Sequence, residues 1–202
     1  MSKTKHRNPL ELRKIPTQSR SAETVNAVLE AAARILEESG FEGYTTNAVA
    51  ERAGVSIGSL YQYFPGKDAL TVALIERETS VLLEEIAAAQ LAQSCVAGLE
   101  QMIAAAVAHQ MRRPALARLL DFEERRLPID ARNGRVADQI HVALLALFGR
   151  NDAPVSEHAE TAAYDVIAIV KGMVDAAGER AETDARQLEL RVRRAVFGYL
   201  QA

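Results

Sequence analysis

The chain has 202 residues, 49% of them hydrophobic and 25% charged, with a formal net charge of -3. That length suffices for one generous core or for two small domains sharing an interface, and the composition is that of an ordinary globular protein. No stretch approaches the ~18 apolar residues of a membrane span. The N-terminus lacks the apolar core of a secretion signal, and the lone Cys95 excludes an intramolecular disulfide or a cysteine-rich zinc site, so a cytoplasmic protein with no membrane partner is expected.

The net charge hides an asymmetry. Residues 1–20 hold Lys3, Lys5, Arg7, Arg13, Lys14 and Arg20 against Glu11 alone, so the remainder is more acidic than the total. With Pro9, Pro16 and little apolar content, this basic arm is expected to be largely disordered without a partner. Two readings stand: a solvated tail, or a cationic arm that meets phosphate or a minor groove.

The first long helix is expected from about Ser21 or Ala22. Val25, Val28, Leu29, Ala32, Ile35 and Leu36 recur at steps of three and four, which draws one apolar stripe, and Gly40 closes the helix. Phe41 and Tyr44 bridge to residues 45–67, which read as two short helices hinged at a glycine. Thr45 or Thr46 caps the first of these, with Val49, Ala50 and Ala53 as its apolar positions. Gly54 takes the tight turn, since glycine alone enters the left-handed region without a steric penalty. Ser56 caps the second helix, in which Leu60 and Phe64 face inward, and Pro65-Gly66 ends it.

Two helices joined by a glycine-containing turn form a helix-turn-helix unit, whose second helix enters the DNA major groove. Gly58 and Ser59 are small enough for close approach, and Ser59 and Gln62 can hydrogen-bond base edges. Tyr61 and Tyr63 flank the strip, where a phenol reaches phosphate. Lys67 opens the next helix, where its ammonium and the free backbone N–H groups favour phosphate. Ile57 lies at the edge of the buried face and either packs inward or touches DNA.

At these residues the chain resembles the TetR family of bacterial transcriptional repressors. The resemblance spans about residues 21–70 and includes Ala-Glu-Arg-Ala-Gly-Val-Ser-x-Gly-Ser-Leu-Tyr-x-Tyr-Phe-Pro-x-Lys-x-x-Leu. It implies that Thr46 contacts phosphate, that Ile57, Gly58, Ser59 and Gln62 meet bases, and that Tyr61, Tyr63 and Lys67 meet the DNA backbone. Asn47 and the capping Ser56 complete the DNA-facing set.

A helix from about Lys67 is expected to connect head and body, placed to transmit movement. Leu70, Leu74, Val81, Leu82 and Ile86 supply its apolar contacts, and Glu76, Arg77, Glu78, Glu84 and Glu85 keep its other side wet. Further helices follow over residues 96–112, 114–127, 132–150, 155–180 and 184–200, with breaks at Arg113-Pro114, Leu127-Pro128, Asn133-Gly134, residues 149–154 and residues 178–183. Alternating strand patterns are missing. In the last helix Leu188, Val192, Val196 and Leu200 step by four, and Ala163, Ile167, Val170, Val174 and Ala177 line the one before it. Since Tyr164, Ala168 and Met173 make that helix apolar over more than one stripe, it needs a second burial partner. A homodimer interface through Ile167, Val174, Val192, Val196 and Tyr199 fits, as the resemblance also implies, against the plainer reading of internal core.

Enzyme chemistry has little to stand on: metalloprotease, nucleophile-elbow, dinucleotide and Walker patterns are missing from the sequence. Asp138-x-x-His141 lacks the second pair of a dimetal site. Catalytic residues, metal ligands and cofactors are therefore expected to be none. Met102, His109, Phe122 and His141 are candidates for a pocket, and the resemblance implies a small-molecule inducer there, against ordinary core. The run Glu123-Glu124-Arg125-Arg126 reads as a solvated face with local ion pairs.

The expected protein is all-α: residues 1–20 a basic arm, residues 21–66 a three-helix helix-turn-helix head, and residues 67–202 a helical-bundle body for ligand binding and dimerisation. Its expected function is a ligand-responsive repressor that binds a palindromic double-stranded DNA operator as a homodimer and is released by an inducer. The competing class is a helical small-molecule binding protein or enzyme whose head does not bind DNA.

Overall fold

A computed structural model describes residues 10, 12–13, 19–127, 130–154 and 158–201. Among them the chain is all-helical, in the order α1 (Ser19–Gly43), α2 (Thr46–Arg52), α3 (Ile57–Tyr63), α4 (Lys67–Ala89), α5 (Cys95–Arg112), α6 (Pro114–Arg126), α7 (Asp130–Phe148), α8 (Ala159–Glu179) and α9 (Ala185–Leu200). Two compact units emerge: a head of residues up to 77 joined by residues 122–127, and a body of residues 78–121 with the chain from 128 onward. The basic residues Lys3, Lys5, Arg7 and Lys14 of the arm lie outside the described residues, as does Pro128.

In the head, α1 packs on α2 and α2 on α3, and the α1 stripe of Val25, Val28, Leu29, Ala32, Ile35 and Leu36 is buried along with Val49, Ala50, Leu60 and Phe64. Leu70 and Leu74 of α4 are also fully covered. Full burial of each large aliphatic side chain contributes about 1.5–3 kcal/mol relative to exposure, so this small apolar set holds the head. Helical geometry in α1 breaks at Gly40, whose φ of 59° is left-handed, where the sequence places the helix end. Outside the core, Arg52 of α2 grips Glu38 of α1 with both guanidinium nitrogens, at 2.5 and 2.6 Å.

In the run at residues 123–126 the expected local ion pair forms between Glu123 and the exposed Arg126, but Glu123 departs from the expected solvated face. Glu123 is buried, and Arg126 bonds it while also donating to Asp68 Oδ1 at 2.6 Å, in the first turn of α4. Phe122 packs its ring on Phe41, with centroids 5.7 Å apart. Tertiary pairing with Asp68 draws in a segment that helical charge spacing alone leaves wet.

The body is built around α5 and α8. Leu99, Met102 and Ile103 of α5, Leu144 and Leu147 of α7, Ala163, Val166 and Val174 of α8, and Leu188, Val192 and Val196 of α9 form one core. Ser94 and Asp184 cap α5 and α9 through hydroxyl and carboxylate oxygens that accept backbone N–H bonds. Two boundaries differ from the sequence reading: α7 runs unbroken through residues 133–134, and α8 begins at Ala159, after His158 in left-handed conformation, rather than near 155. Among the described residues no helix is long and apolar enough to cross a membrane.

Gly98 marks a close approach between helices within the body. A Cβ there would lie 2.6 Å from Leu147 Cδ2 and 2.9 Å from the backbone oxygen of Ala89. The leucine tip can shift but the carbonyl cannot move without its helix, so overpacking outweighs alanine's better helix propensity. Gly98→Ala is therefore expected to destabilise the protein by about 1–3 kcal/mol. Chemical denaturation checks this, and unchanged stability would show that α4 and α5 can separate freely.

Candidate nucleic-acid interface

The α2–turn–α3 segment is shaped by local hydrogen bonds. Thr45, in extended conformation, accepts the Ala48 N–H on its hydroxyl at 3.1 Å, which settles the first cap on Thr45 and frees Thr46. Gly54 turns with φ 69°, and the Val55 N–H returns to the Ala50 carbonyl at 3.0 Å. Ser56 accepts the Ser59 N–H at 3.0 Å and shares a hydroxyl contact of 2.8 Å with Ser59.

These constraints leave a polar strip facing outward. Asn47, Ser56, Gly58 and Gln62 are exposed, Ser59 and Thr46 half-buried, and Ile57 and Tyr61 each 38% exposed. Ile57 thus stands toward the strip and does not fill the core. The Tyr61 hydroxyl meets Thr46 Oγ1 at 3.1 Å, so α2 and α3 present two hydroxyls together. A Cβ at Gly58 would meet only Ser56 Oγ, at 3.8 Å. The protein's own packing does not require that glycine.

Tyr63 is placed differently from the sequence reading. It is only 8% exposed, because Leu60, Tyr63 and Phe64 fall at i, i+3 and i+4 on the inner face. Lys67 is half-buried with Nζ 4.9 Å from the centre of the Tyr44 ring. That ring is itself buried, with its hydroxyl 3.1 Å from Thr71, and burial pushes the phenol pKa far up. Arg13 is the contact that sequence reasoning missed. Its backbone N–H donates to the Tyr63 carbonyl at 2.7 Å and its Nη1 to the Tyr61 carbonyl at 3.3 Å. Pro65, four residues past Tyr61 and without an N–H, was the clue that an outside donor was needed.

The four pocket candidates have different surroundings. Met102 is core, Phe122 lies on Phe41, and His141 stacks on Tyr164 with centroids 4.1 Å apart. His109 is half-buried on α5. A groove of about 350 Å³ in the body is lined by other residues: Leu83, Ile86, Ala87 and Gln90 of α4 and Asp138, Gln139 and Val142 of α7. Gln110 Nε2 and His141 Nε2 are buried without a protein hydrogen-bond partner. Among the described residues no group of three or more His, Cys, Asp or Glu could hold a metal ion.

Of the five dimer candidates, Val174, Val192 and Val196 are spent inside the body core of a single chain. Ile167 is only partly buried and Tyr199 is 38% exposed, its hydroxyl donating to Asp165 at 2.5 Å.

Comparison with known proteins gives this geometry a family. The profile for bacterial regulatory proteins of the tetR family matches residues 28–74, and that for the tetracyclin repressor-like C-terminal domain matches residues 95–200. The chain belongs to the TetR family. Members of that family are bacterial regulatory proteins. The HTH-type transcriptional repressor KstR of Mycolicibacterium smegmatis is 45% identical over 51 residues, a quarter of each chain. The nucleoid occlusion factor SlmA of Actinobacillus pleuropneumoniae is 33% identical over 126 residues, 61% of this chain and 62% of that one. The chain therefore spans only a quarter to under two thirds of these curated relatives. Among solved structures, the fatty acid degradation regulator FadR of Bacillus halodurans matches with a TM-score of 0.71 at 16% identity, over 86% of this chain and 97% of that one. A TetR-family regulator from Streptomyces coelicolor matches with 0.64 at 23%, over 88% and 99%. These likenesses establish the fold.

Within this TetR-family body, burial holds the His109 imidazole below its ordinary pKa, with Arg112 and Lys171 acting in the same direction and Glu78 and Glu85 opposing. The unfolded chain then binds a proton that the folded one refuses, so the resulting stability loss begins as pH falls past about 6.5 and is complete below the depressed folded value. Thermal unfolding followed between pH 7.5 and pH 5.5 is expected to show this decline, and His109→Gln to flatten it. Parallel declines in both proteins would place the titrating group elsewhere.

Proposed function

We propose that this regulator is a repressor that binds a palindromic operator as a homodimer and lets go when a small molecule occupies its body. The observation that carries the DNA half is the outward strip of α3, where a Cβ at Gly58 would touch only the Ser56 hydroxyl, at 3.8 Å, and Gln62 is exposed. A glycine that the fold does not need makes sense where a nucleic acid must come close. A repressor, KstR, is the relative whose aligned segment reaches 45% identity, which supports repression over activation.

Dimerisation is supported by the outer face of α8 and α9. Tyr164 is 58% exposed, Tyr199 less so, and Ile167, Val170, Met173 and Phe197 are incompletely covered, while Gly172 and Gly198 would carry a Cβ into open space. Pairing this face with its symmetry mate would complete the burial of α8, and the two-fold symmetry of such a dimer would match operator half-sites about one helical turn, roughly 34 Å, apart or a multiple of it. The inducer reading is supported by Gln110 Nε2 and His141 Nε2, since buried polar atoms are rarely left without partners. Release requires that the inducer bind the DNA-incompetent arrangement more tightly, by a coupling of about 1–3 kcal/mol.

Mobility-shift titration on the promoter beside the protein's own coding sequence tests the reading. Specific retention is expected, and no retention at low salt would contradict it. Gln62→Ala should lower discrimination at particular base pairs by about 1–3 kcal/mol. Gly58→Ala should leave thermal stability unchanged or raised while weakening operator binding; intact binding would mean that DNA does not approach there. In sedimentation the wild type is expected at twice the chain mass, with Tyr199→Glu shifting it toward a single chain, and a wild type of single-chain mass would overturn the dimer.

A further inference from the structure

Arg13 sits where the recognition helix runs out of its own hydrogen-bond donors. In α3 the last intrahelical partner is the Phe64 N–H, which reaches the Leu60 carbonyl at 2.9 Å. The next carbonyl, of Tyr61, would ordinarily be served four residues later, but that residue is Pro65, which has no N–H. Phe64 is already extended, with φ -112° and ψ 115°, so the chain has left the helix before Tyr63 can find a partner ahead of it. Arg13, some fifty positions earlier, supplies both missing donors: its backbone N–H to Tyr63 and its guanidinium to Tyr61. A cation at a helix C-terminus is also of the sign that the helix dipole favours.

We propose that Arg13 is a positioning residue for DNA recognition, latching the end of the basic arm onto the last turn of the recognition helix. Tyr61 is then held at both ends, its carbonyl by Arg13 and its hydroxyl by Thr46 at 3.1 Å. Gln62, the exposed base-facing side chain next to it, takes its direction from a backbone fixed on either side. Sequence discrimination therefore depends on a residue that faces no base, through two hydrogen bonds that α3 cannot make for itself. This inference rests on the reading of α3 as the DNA-reading helix.

The test uses the full-length protein and two duplexes: the sequence enriched from random DNA by the wild type, and a scrambled duplex of equal composition, each titrated at several salt concentrations. Arg13→Pro removes the N–H and the guanidinium, whereas Arg13→Ala removes the guanidinium alone. The latch predicts that Arg13→Pro lowers the ratio of the two affinities about tenfold, that Arg13→Ala lowers it less, and that the salt slope stays unchanged in both. Unfolding temperatures are expected to match the wild type, and amide exchange over residues 60–64 to quicken in Arg13→Pro even where unfolding temperatures shift. Equal losses on both duplexes, with the salt slope reduced by about 0.9, would make Arg13 a phosphate ligand and overturn the latch. An unchanged ratio and unchanged exchange in Arg13→Pro would overturn it as well. A wild type that fails to separate the duplexes would instead overturn the DNA-reading role on which the proposal stands.

Discussion

Helix α3 is seven residues long, well short of the ~12–15 residues at which an isolated helix becomes even marginal in water. Its shape must therefore come from what pins it. Leu60, Tyr63 and Phe64 supply that pin on the inner side, with Leu60 and Phe64 wholly excluded from solvent in the head core that α1 and α2 share. Ser56 fixes the first turn by accepting the Ser59 N–H, and Arg13 closes the last. With three faces of the problem solved elsewhere, the fourth is free to carry the polar and small residues that the proposed reading of DNA requires.

The same logic explains which features could be read from the sequence. Thr45, Gly54 and Ser56 act over three or four residues, so caps and turn were visible before any fold was known, and the left-handed conformation at Gly54 follows from its residue type. Tyr63 was harder. Aromatic residues suit both a core and a phosphate contact, and only the packing of the folded head assigns it inward. Arg13 and Glu123 were harder still, because each is defined by a partner roughly fifty residues away, Tyr63 and Asp68 respectively, the latter through Arg126.

The body teaches a related lesson. Leu188, Val192 and Val196 step by four on α9, which announces an apolar stripe but not what covers it. The stripe turns inward to α5 and α8, and the surface left for another chain consists of residues with less regular spacing, such as Tyr164 and Tyr199. Likewise, periodicity marks Phe122 and His141 as aromatic positions on neighbouring helices without revealing that one rests on Phe41 and the other on Tyr164. Hydrophobic spacing identifies faces; partners come from packing.

The account stands on the claim that α3 offers its outer strip to base edges in two symmetry-related copies. Selection of duplexes from random DNA by the intact protein, followed by sequencing of the enriched pool, tests that claim most directly. An inverted repeat whose half-site centres are separated by a whole number of helical turns, about 10–10.5 base pairs each, is the predicted result. Enrichment of no sequence, or of a single unrepeated site, would contradict it.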